Sequence, residues 1–338
     1  MHSPAFWWRP GTGRILSPLA GIYGAVAALR MRAEGRRAGL PVICLGNLTV
    51  GGAGKTPAAL AVAHFLLAAH ERPFFLSRGY GGEWSGPVRV DVAVHNAAQV
   101  GDEPLLLARL APTIVARDRV KGAEAARGGN ATVVVMDDGF QNPALKKDLA
   151  IVLVDGRRGI GNGRTLPAGP LRAPLETQLA HAQAVLFVGK ETGLAAIAER
   201  AQHYRAAIFH GRLEADKHVL ETLRGRKVLA YAGIGDPEKF FNTLAEGGVN
   251  VVERTSFPDH HRYTGAQARA LLERANSANL MLITTEKDFV RLTDDPELSS
   301  LAARTCALPV RLVIEETDAF GKMILKAAKG NGRQIAKA

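Results

Sequence analysis

Gly46-Asn47-Leu48-Thr49-Val50-Gly51-Gly52-Ala53-Gly54-Lys55-Thr56-Pro57 decides how this chain is read. The apolar run Pro41-Val42-Ile43-Cys44-Leu45 before it has the continuous hydrophobicity of a buried strand. The Ala- and Leu-rich stretch after it, about 56–69, has that of a long helix. A glycine-rich turn between strand and helix is the setting of a phosphate-binding loop. Glycines let backbone amides converge on phosphate oxygens, and the helix N-terminus adds positive potential. Val50, Gly51, Gly52, Ala53, Gly54, Lys55, Thr56 and Pro57 are therefore the expected nucleotide contacts. Lys55 would bridge the β- and γ-phosphates, and Thr56 would offer its hydroxyl to Mg2+. Pro57 is tolerated because the first helical turn needs no amide donor there. The usual pattern GxxxxGK[ST] has glycine where this chain has Thr49, so Gly51 and Gly52 are expected to supply the flexibility. A glycine-rich turn with an incidental Lys-Thr is the plainer alternative, but it leaves the order of strand, glycines, Lys-Thr and helix unexplained.

A phosphate loop needs a carboxylate at the end of a neighbouring strand to organise Mg2+. The run Val133-Val134-Val135-Met136-Asp137-Asp138-Gly139 supplies two, Asp137 and Asp138, at the carboxyl end where α/β sheets bind ligands. A bare Asp-Gly turn is the other reading. Further apolar, β-branched runs at 74–76, 113–116, 151–155 and 184–188 alternate with helical stretches, as in a mostly parallel sheet with helices on both faces. The expected class is α/β, a P-loop NTPase-type sheet plus a smaller α/β second unit. In that unit, strands at 227–232, 249–252 and 280–284 alternate with helices at 237–245 and 266–275. The charged stretch 212–226 reads as a linker. The expected divisions are an N-terminal membrane-docking helical segment over 1–38, a P-loop domain over 39–215, and a smaller domain over 226–330 that closes over the site.

The 338 residues suit about two domains at roughly 150 residues each. A hydrophobic content of 47% excludes disorder. Lys and Arg number 43 against 32 Asp and Glu, and the resulting +11 points to an anionic partner. Aromatics are only 6% and no basic run is interleaved with Phe or Tyr, which argues against nucleic acid. Cys44 and Cys306 lie far apart and outside any CxxC spacing, so neither a disulfide framework nor a Cys-based zinc site is expected, and the setting is cytosolic. Near the N-terminus Phe6, Trp7 and Trp8 precede Arg9, the stretch 15–29 carries no charge, and Arg30, Arg32, Arg36 and Arg37 follow. A secretory signal has its positive charge first, and Pro18, Gly21 and Gly24 weaken the stretch as a membrane span. An interfacial helix with aromatic anchors and basic residues at anionic headgroups is expected. A helix packed on the protein's own core is the alternative.

Other candidates are more open. Asp102 and Glu103, in Gly101-Asp102-Glu103-Pro104, read equally as acids favouring a helix start or, for Asp102, as the acceptor of a hydroxyl proton. In Asp259-His260-His261, adjacent histidines cannot point the same way along a strand, so a two-His metal site is not expected. A carboxylate beside a histidine can tune an acid/base group, though surface loops carry such pairs too. Arg78, Arg119 and Arg172 are candidate phosphate clamps or solvated surface charges.

Taken together, GNLTVGGAGKTP, SRGYGG, GDEPLLLA, VVVMDDGFQ, LPAGPLR, YAGIGDPEKF, FPDHHRYT and TTEKD, with the Trp-rich N-terminus, resemble the tetraacyldisaccharide 4′-kinase (lipid A 4′-kinase) family, in order from about Trp7 to Asp288. The resemblance implies transfer of the ATP γ-phosphate, with Mg2+, to the 4′-hydroxyl of a lipid A disaccharide precursor, at the cytoplasmic face of the bacterial inner membrane. It also implies that Asp102 and His260 activate the hydroxyl, Asp102 as proton acceptor and His260 as its tuner, beside Lys55. The partners implied are the glycolipid and the membrane surface, with no nucleic acid, and a monomer is expected. The family often reads GPLREP with a glutamate near the metal, whereas Arg172 here precedes Ala173. Metal coordination is therefore expected from Thr56, Asp137 and Asp138. The same motifs would also suit a P-loop phosphotransferase with a soluble acceptor, or a nucleotide-dependent membrane switch, which would leave Asp102 without a task.

Overall fold

The computed structural model describes residues 4–190, 194–293 and 295–330. The apolar run before the phosphate loop forms the strand Val42–Asn47, buried along its whole length. It pairs in parallel with Val133–Asp137 on one side and Leu149–Asp155 on the other, so the loop leaves the middle of the sheet. The full order is Val310–Ile314, Ala207–Ala215, Ala184–Val188, Leu149–Asp155, Val42–Asn47, Val133–Asp137, Pro73–Ser77, Thr113–Val115, Val88–Arg89. All pairings are parallel except those of the two outermost strands.

Both faces are covered, which is why the central strands are continuously apolar rather than alternating. Helices Lys55–Ala68 and Thr317–Lys329 close one face, packing Val62, Leu66, Phe320 and Ile324 on Leu45, Val135 and Ile151. Helices Arg119–Gly128, Leu175–Ala180 and Ala195–His203 close the other over Cys44, Val134, Val152 and Phe187. A second, four-stranded parallel sheet runs Asn250–Ser256, Lys227–Ala232, Met281–Thr285, Thr305–Leu308. Its helix Gly265–Ser277 starts in a capping box, Thr264 and Gln267 exchanging side-chain-to-backbone bonds.

Two expectations about chain organisation need correction. The stretch 212–226 is not an open linker: it holds the end of the strand Ala207–Ala215 and the helix Lys217–Leu223, N-capped by Asp216. Its charges mislead because Arg212 and Glu214 pair with each other on a partly exposed strand. The segment from Val310 onward does not complete the smaller sheet either. Val310–Ile314 returns to pair antiparallel with Ala207–Ala215, and Thr317–Lys329 packs on Lys55–Ala68. The chain thus leaves the large sheet, builds the small one, and comes back.

The uncharged N-terminal stretch forms the helix Ser17–Met31. Ala20, Gly24 and Met31 face the protein, where Thr165 Oγ1 donates to Ala20 O at 2.7 Å. Leu19, Ile22, Tyr23, Val26 and Leu29 form the opposite, exposed face, with Leu29 at 66% exposure, and Ile15 in the turn before the helix is 95% exposed. The expected aromatic anchors are held by the protein itself: Trp7 Nε1 donates to Pro167 O at 3.0 Å, and the Arg158 guanidinium lies 5.1 Å from the Trp8 ring centre. The exposed apolar face of the helix is mainly aliphatic, with Tyr23 its aromatic member at 40% exposure. Among the described residues no helix is long and apolar enough to cross a membrane.

Candidate active site

The phosphate loop begins where the central strand ends. Asn47 Nδ2 donates to Gly51 O at 2.6 Å and folds the loop back on itself. Gly54, at φ +87° in the left-handed region, turns the chain into the helix as its N-cap, a conformation an L side chain resists. Thr49 sits in an antiparallel bridge with Leu171, not in the turn, so the glycine usual there is not required. Val50 N donates to Pro170 O at 2.8 Å and Arg172 N to Leu48 O at 3.0 Å, stitching the LPAGPLR segment along the loop.

Lys55 and Thr56 open the helix and are buried. Thr56 Oγ1, both carboxylate oxygens of Asp137 and Asn47 Oδ1 are buried without a hydrogen-bond partner in the protein. Buried polar atoms are normally paired, so this group of hard oxygens has the chemistry of a Mg2+ and phosphate cradle. Among the described residues no cluster of three or more His, Cys, Asp or Glu could hold a metal alone. Mg2+ needs none, since it takes one or two carboxylates and completes its shell with phosphate and water. The residues fit.

The two acids after the strand differ. Burial, and next the neighbouring Glu103, push the Asp137 carboxyl up to about 7. Asp138, at φ 52°, accepts from Arg172 Nη1 at 2.7 Å and lies 3.7 Å from Lys55 Nζ. Burial opposes its charge, but Lys55 and then Arg172 outweigh it and hold its pKa below the ordinary value. Asp137 thus has free oxygens, and Asp138 is engaged by cations.

Beside the loop, the helix Asp102–Ala108 packs on Lys55–Ala68 and carries the GDEP acids. Gly101 precedes it at φ +89°, and a Cβ there would come within 2.6 Å of Tyr80 O, so the SRGYGG and GDEP loops interlock only with glycine. Asp102 is 3% exposed and faces the second sheet, where it pairs with Arg291 Nη2 and lies 3.4 Å from His260 Nδ1. Burial works against its charge, yet the His260 bond and Arg291 hold its pKa well below the usual range. The bond to Asp102 raises that of His260, which is the more exposed partner at 26%. The Tyr80 ring lies 5.0 Å from the His260 ring. His261 points away, stacked on Phe257 and bonded to Gln267, so the histidines diverge as their adjacency requires.

The structure thus brings Lys55, Thr56, Asp137, Asp138 and Arg172 together at the loop, and Asp102 with His260 beside it. Arg119 is buried, with Nη1 donating to Ala116 O at 2.9 Å and Nε unpartnered, so it is no solvated surface charge. Arg78 is exposed and forms no ion pair among the described residues. Ala173 is buried in the core, and Glu176 is drawn 3.2 Å from Arg200, so it does not replace the family glutamate. Sequence reading missed Lys287, Asp288 and Arg291, and gave Glu103 only a place at a helix start. Lys287 Nζ donates to Glu103 Oε1 at 2.5 Å, and Arg291 bridges Asp102 and Asp288. The TTEKD motif contains Lys287 and Asp288, though not Arg291, and does not say what its charges meet.

Comparison with known proteins identifies the family. A family profile described as tetraacyldisaccharide-1-P 4'-kinase matches residues 12–329. A tetraacyldisaccharide 4'-kinase of Rhodopseudomonas palustris (strain BisA53) is 50% identical over 326 residues, covering 96% of this chain and 95% of that one. One from Methylobacterium radiotolerans is 50% identical over 329 residues, covering 96% and 98%. The crystal structure of the "apo" form of LpxK from Aquifex aeolicus in complex with ATP, at 2.2 Å resolution, superposes with a TM-score of 0.73 at 27% identity, over 93% of this chain and 99% of that one. The matched span takes in both sheets, and the chain belongs to the tetraacyldisaccharide-1-P 4'-kinase family.

Proposed function

We propose that the protein transfers the γ-phosphate of ATP to the 4′-hydroxyl of a tetraacyldisaccharide 1-phosphate, a step of lipid A synthesis, at the cytoplasmic face of the inner membrane. The observation that carries this is the pairing of two half-sites. Unpartnered oxygens of Thr56 and Asp137 accompany Lys55 at the phosphate loop, and the buried Asp102 is paired with the partly exposed His260.

In this reading the amides of Gly51 to Thr56 and the Lys55 ammonium grip the triphosphate. Val50, expected among these contacts, is excluded because its N–H is already donated to Pro170 O, and Pro57 keeps the first helical turn fixed in φ. Arg172 and Arg119 add positive charge beneath it, and Arg78 is placed to reach a phosphate from its exposed loop. Thr56 and Asp137, with Asp138 beside them, would hold Mg2+, which when bound would supply charge neutralisation at the terminal phosphates. The Asp102–His260 pair orients the sugar hydroxyl and takes its proton as a coupled unit, His260 being the member nearer solvent. Phosphoryl transfer depends chiefly on such positioning and charge stabilisation.

The smaller unit, built on the 227–308 sheet, closes against the P-loop domain and keeps water from the γ-phosphate. Contacts that support closure are Arg262 Nη2 to Gly81 O at 3.4 Å and Arg157 Nη2 to Asp236 Oδ2 at 2.7 Å. The mainly aliphatic face of Ser17–Met31, followed by Arg30, Arg32, Arg36 and Arg37, seats the N-terminal segment in an anionic leaflet. Both half-sites come from one chain, in keeping with action as a monomer. Incubation with γ-labelled ATP, Mg2+ and a purified tetraacyldisaccharide 1-phosphate tests the proposal. Label at the 4′ position of the distal sugar is expected, and label confined to free phosphate would refute it.

A further inference from the structure

The helix Glu286–Thr293 carries a buried polar group to which the proposed reaction assigns no task. Asp288 has no exposed surface. Its Oδ1 accepts from Gly233 N at 3.0 Å, Tyr263 Oη at 2.9 Å and Arg291 Nη1 at 2.9 Å, and its Oδ2 from Thr285 Oγ1 at 2.7 Å. Arg291 Nη1 also donates to Gly233 O at 2.9 Å, the same carbonyl that accepts from His260 N at 3.1 Å. Arg291 Nη2 reaches Asp102 Oδ2, the oxygen that His260 Nδ1 approaches at 3.4 Å.

We propose that Arg291 and Asp288 are positioning residues that fix both members of the Asp102–His260 pair at once, Asp102 through its carboxylate and His260 through the backbone of Gly233. The proposal rests on the reading of that pair as the group that activates the sugar hydroxyl. One guanidinium spans Asp102, Asp288 and the Gly233 carbonyl, so the two residues hold their relative placement across the junction of the two sheets. The arrangement leaves no slack at Gly233, where a Cβ would lie 2.9 Å from Asp288 Oδ1 and 3.0 Å from His261 Cβ. It also explains why His260 keeps a left-handed backbone at φ 55°, a conformation a non-glycine residue holds only when its surroundings dictate it.

Stability alone does not call for these groups. Burying a guanidinium between two carboxylates incurs desolvation that apolar packing of the same volume would avoid. The charge does something else. Asp102 faces His260, Arg291 and Lys287, and His260 faces Asp102, Asp259 and Arg291. Removing Arg291 takes away a cation that keeps Asp102 ionised despite its burial.

The test uses the full chain with ATP, Mg2+ and detergent-dispersed tetraacyldisaccharide 1-phosphate, comparing Arg291→Met, Asp102→Asn and the double variant. Arg291→Met is expected to lower kcat about 10- to 100-fold, the scale of a small misplacement of reacting groups, with the KM for ATP nearly unchanged. The acidic limb of its kcat/KM profile should move to higher pH, because Asp102 then needs a higher pH to ionise. Added to Asp102→Asn, it should lower kcat no further. Arg291→Lys keeps the charge but cannot span three acceptors. It should leave the acidic limb in place while still losing rate, and it carries the test if Arg291→Met does not fold. An unmoved acidic limb in Arg291→Met, or losses that multiply in the double variant, would mean that Arg291 only braces the fold. Full activity in Asp102→Asn would instead overturn the reading of the pair itself, whatever Arg291 does.

Discussion

Replacing Asp137 by asparagine should stabilise the nucleotide-free protein while abolishing its activity. Asp137 is 1% exposed and neither carboxylate oxygen has a partner. Burial first, and the nearby Glu103 second, raise its pKa from 3.8 to about 7. The unfolded chain ionises this group above about pH 4, whereas the folded protein resists ionisation until about pH 7. Stability is therefore lost progressively as pH rises between those values and stays low above them. At 1.36 kcal/mol per pKa unit, the penalty above pH 7 is of order 4 kcal/mol. Asparagine removes the charge but leaves a buried amide unpaired, which costs about 1–3 kcal/mol. The net gain at pH 8 is about 1–3 kcal/mol, or a Tm rise of about 2–4 °C for a chain of this length. Near pH 5 the gain should fall to about zero. Thermal unfolding in EDTA at both pH values, with label transfer from Mg2+-ATP, makes the assay. A variant less stable at pH 8 than the parent, or one retaining kcat, would refute the assignment of these orphaned oxygens to a cation and phosphate.

Lys55→Ala should lower turnover by at least about 10³ through loss of charge at the transferring phosphate, and near-normal rates would place the phosphate site elsewhere. His260→Ala should lower kcat about 10²–10⁴ as loss of acid/base assistance with nucleotide affinity intact, and unchanged kcat would reduce the histidine to a loop residue. Ile22→Glu with Val26→Glu, on the exposed face of Ser17–Met31, should weaken binding to vesicles rich in phosphatidylglycerol at least about tenfold at an unchanged Tm. Undiminished vesicle binding would remove that helix from the membrane contact.

Much of this architecture is legible in the sequence because it follows from burial on both faces. Runs such as 42–45, 133–136 and 151–154 have no polar interruption, and only a covered parallel strand accommodates them. Ala207–Ala215 and Val310–Ile314 escape such reading because Arg212, Glu214 and Arg311 interrupt them and pair with one another at the sheet's edge. Their long-range return cannot be inferred from local periodicity. At the site, glycine spacing, Lys55-Thr56 and Asp137-Asp138 announce their chemistry because neighbours in sequence supply it. Asp102 is different: as an acid at a helix start it has a sufficient local explanation. Its partner Arg291 lies 189 residues away, and Lys287 meets Glu103 across 184. Contacts made when two sheets meet leave no periodic trace. The contacts of Trp7 and Trp8 are equally hidden, since Pro167 and Arg158, which they meet, are distant in sequence.

The central claim is that one cradle at Gly51–Thr56 grips the triphosphate and presents its end to the Asp102–His260 pair. A crystal structure of the protein with Mg2+ and a non-hydrolysable ATP analogue tests it most directly. The account predicts phosphate oxygens on the amides of 51–56 and on Lys55 Nζ, Mg2+ on Thr56 Oγ1 and an Asp137 oxygen, and the γ-phosphate turned toward His260. Phosphates bound anywhere else, or a γ-phosphate walled off from His260 and Asp102, would contradict it.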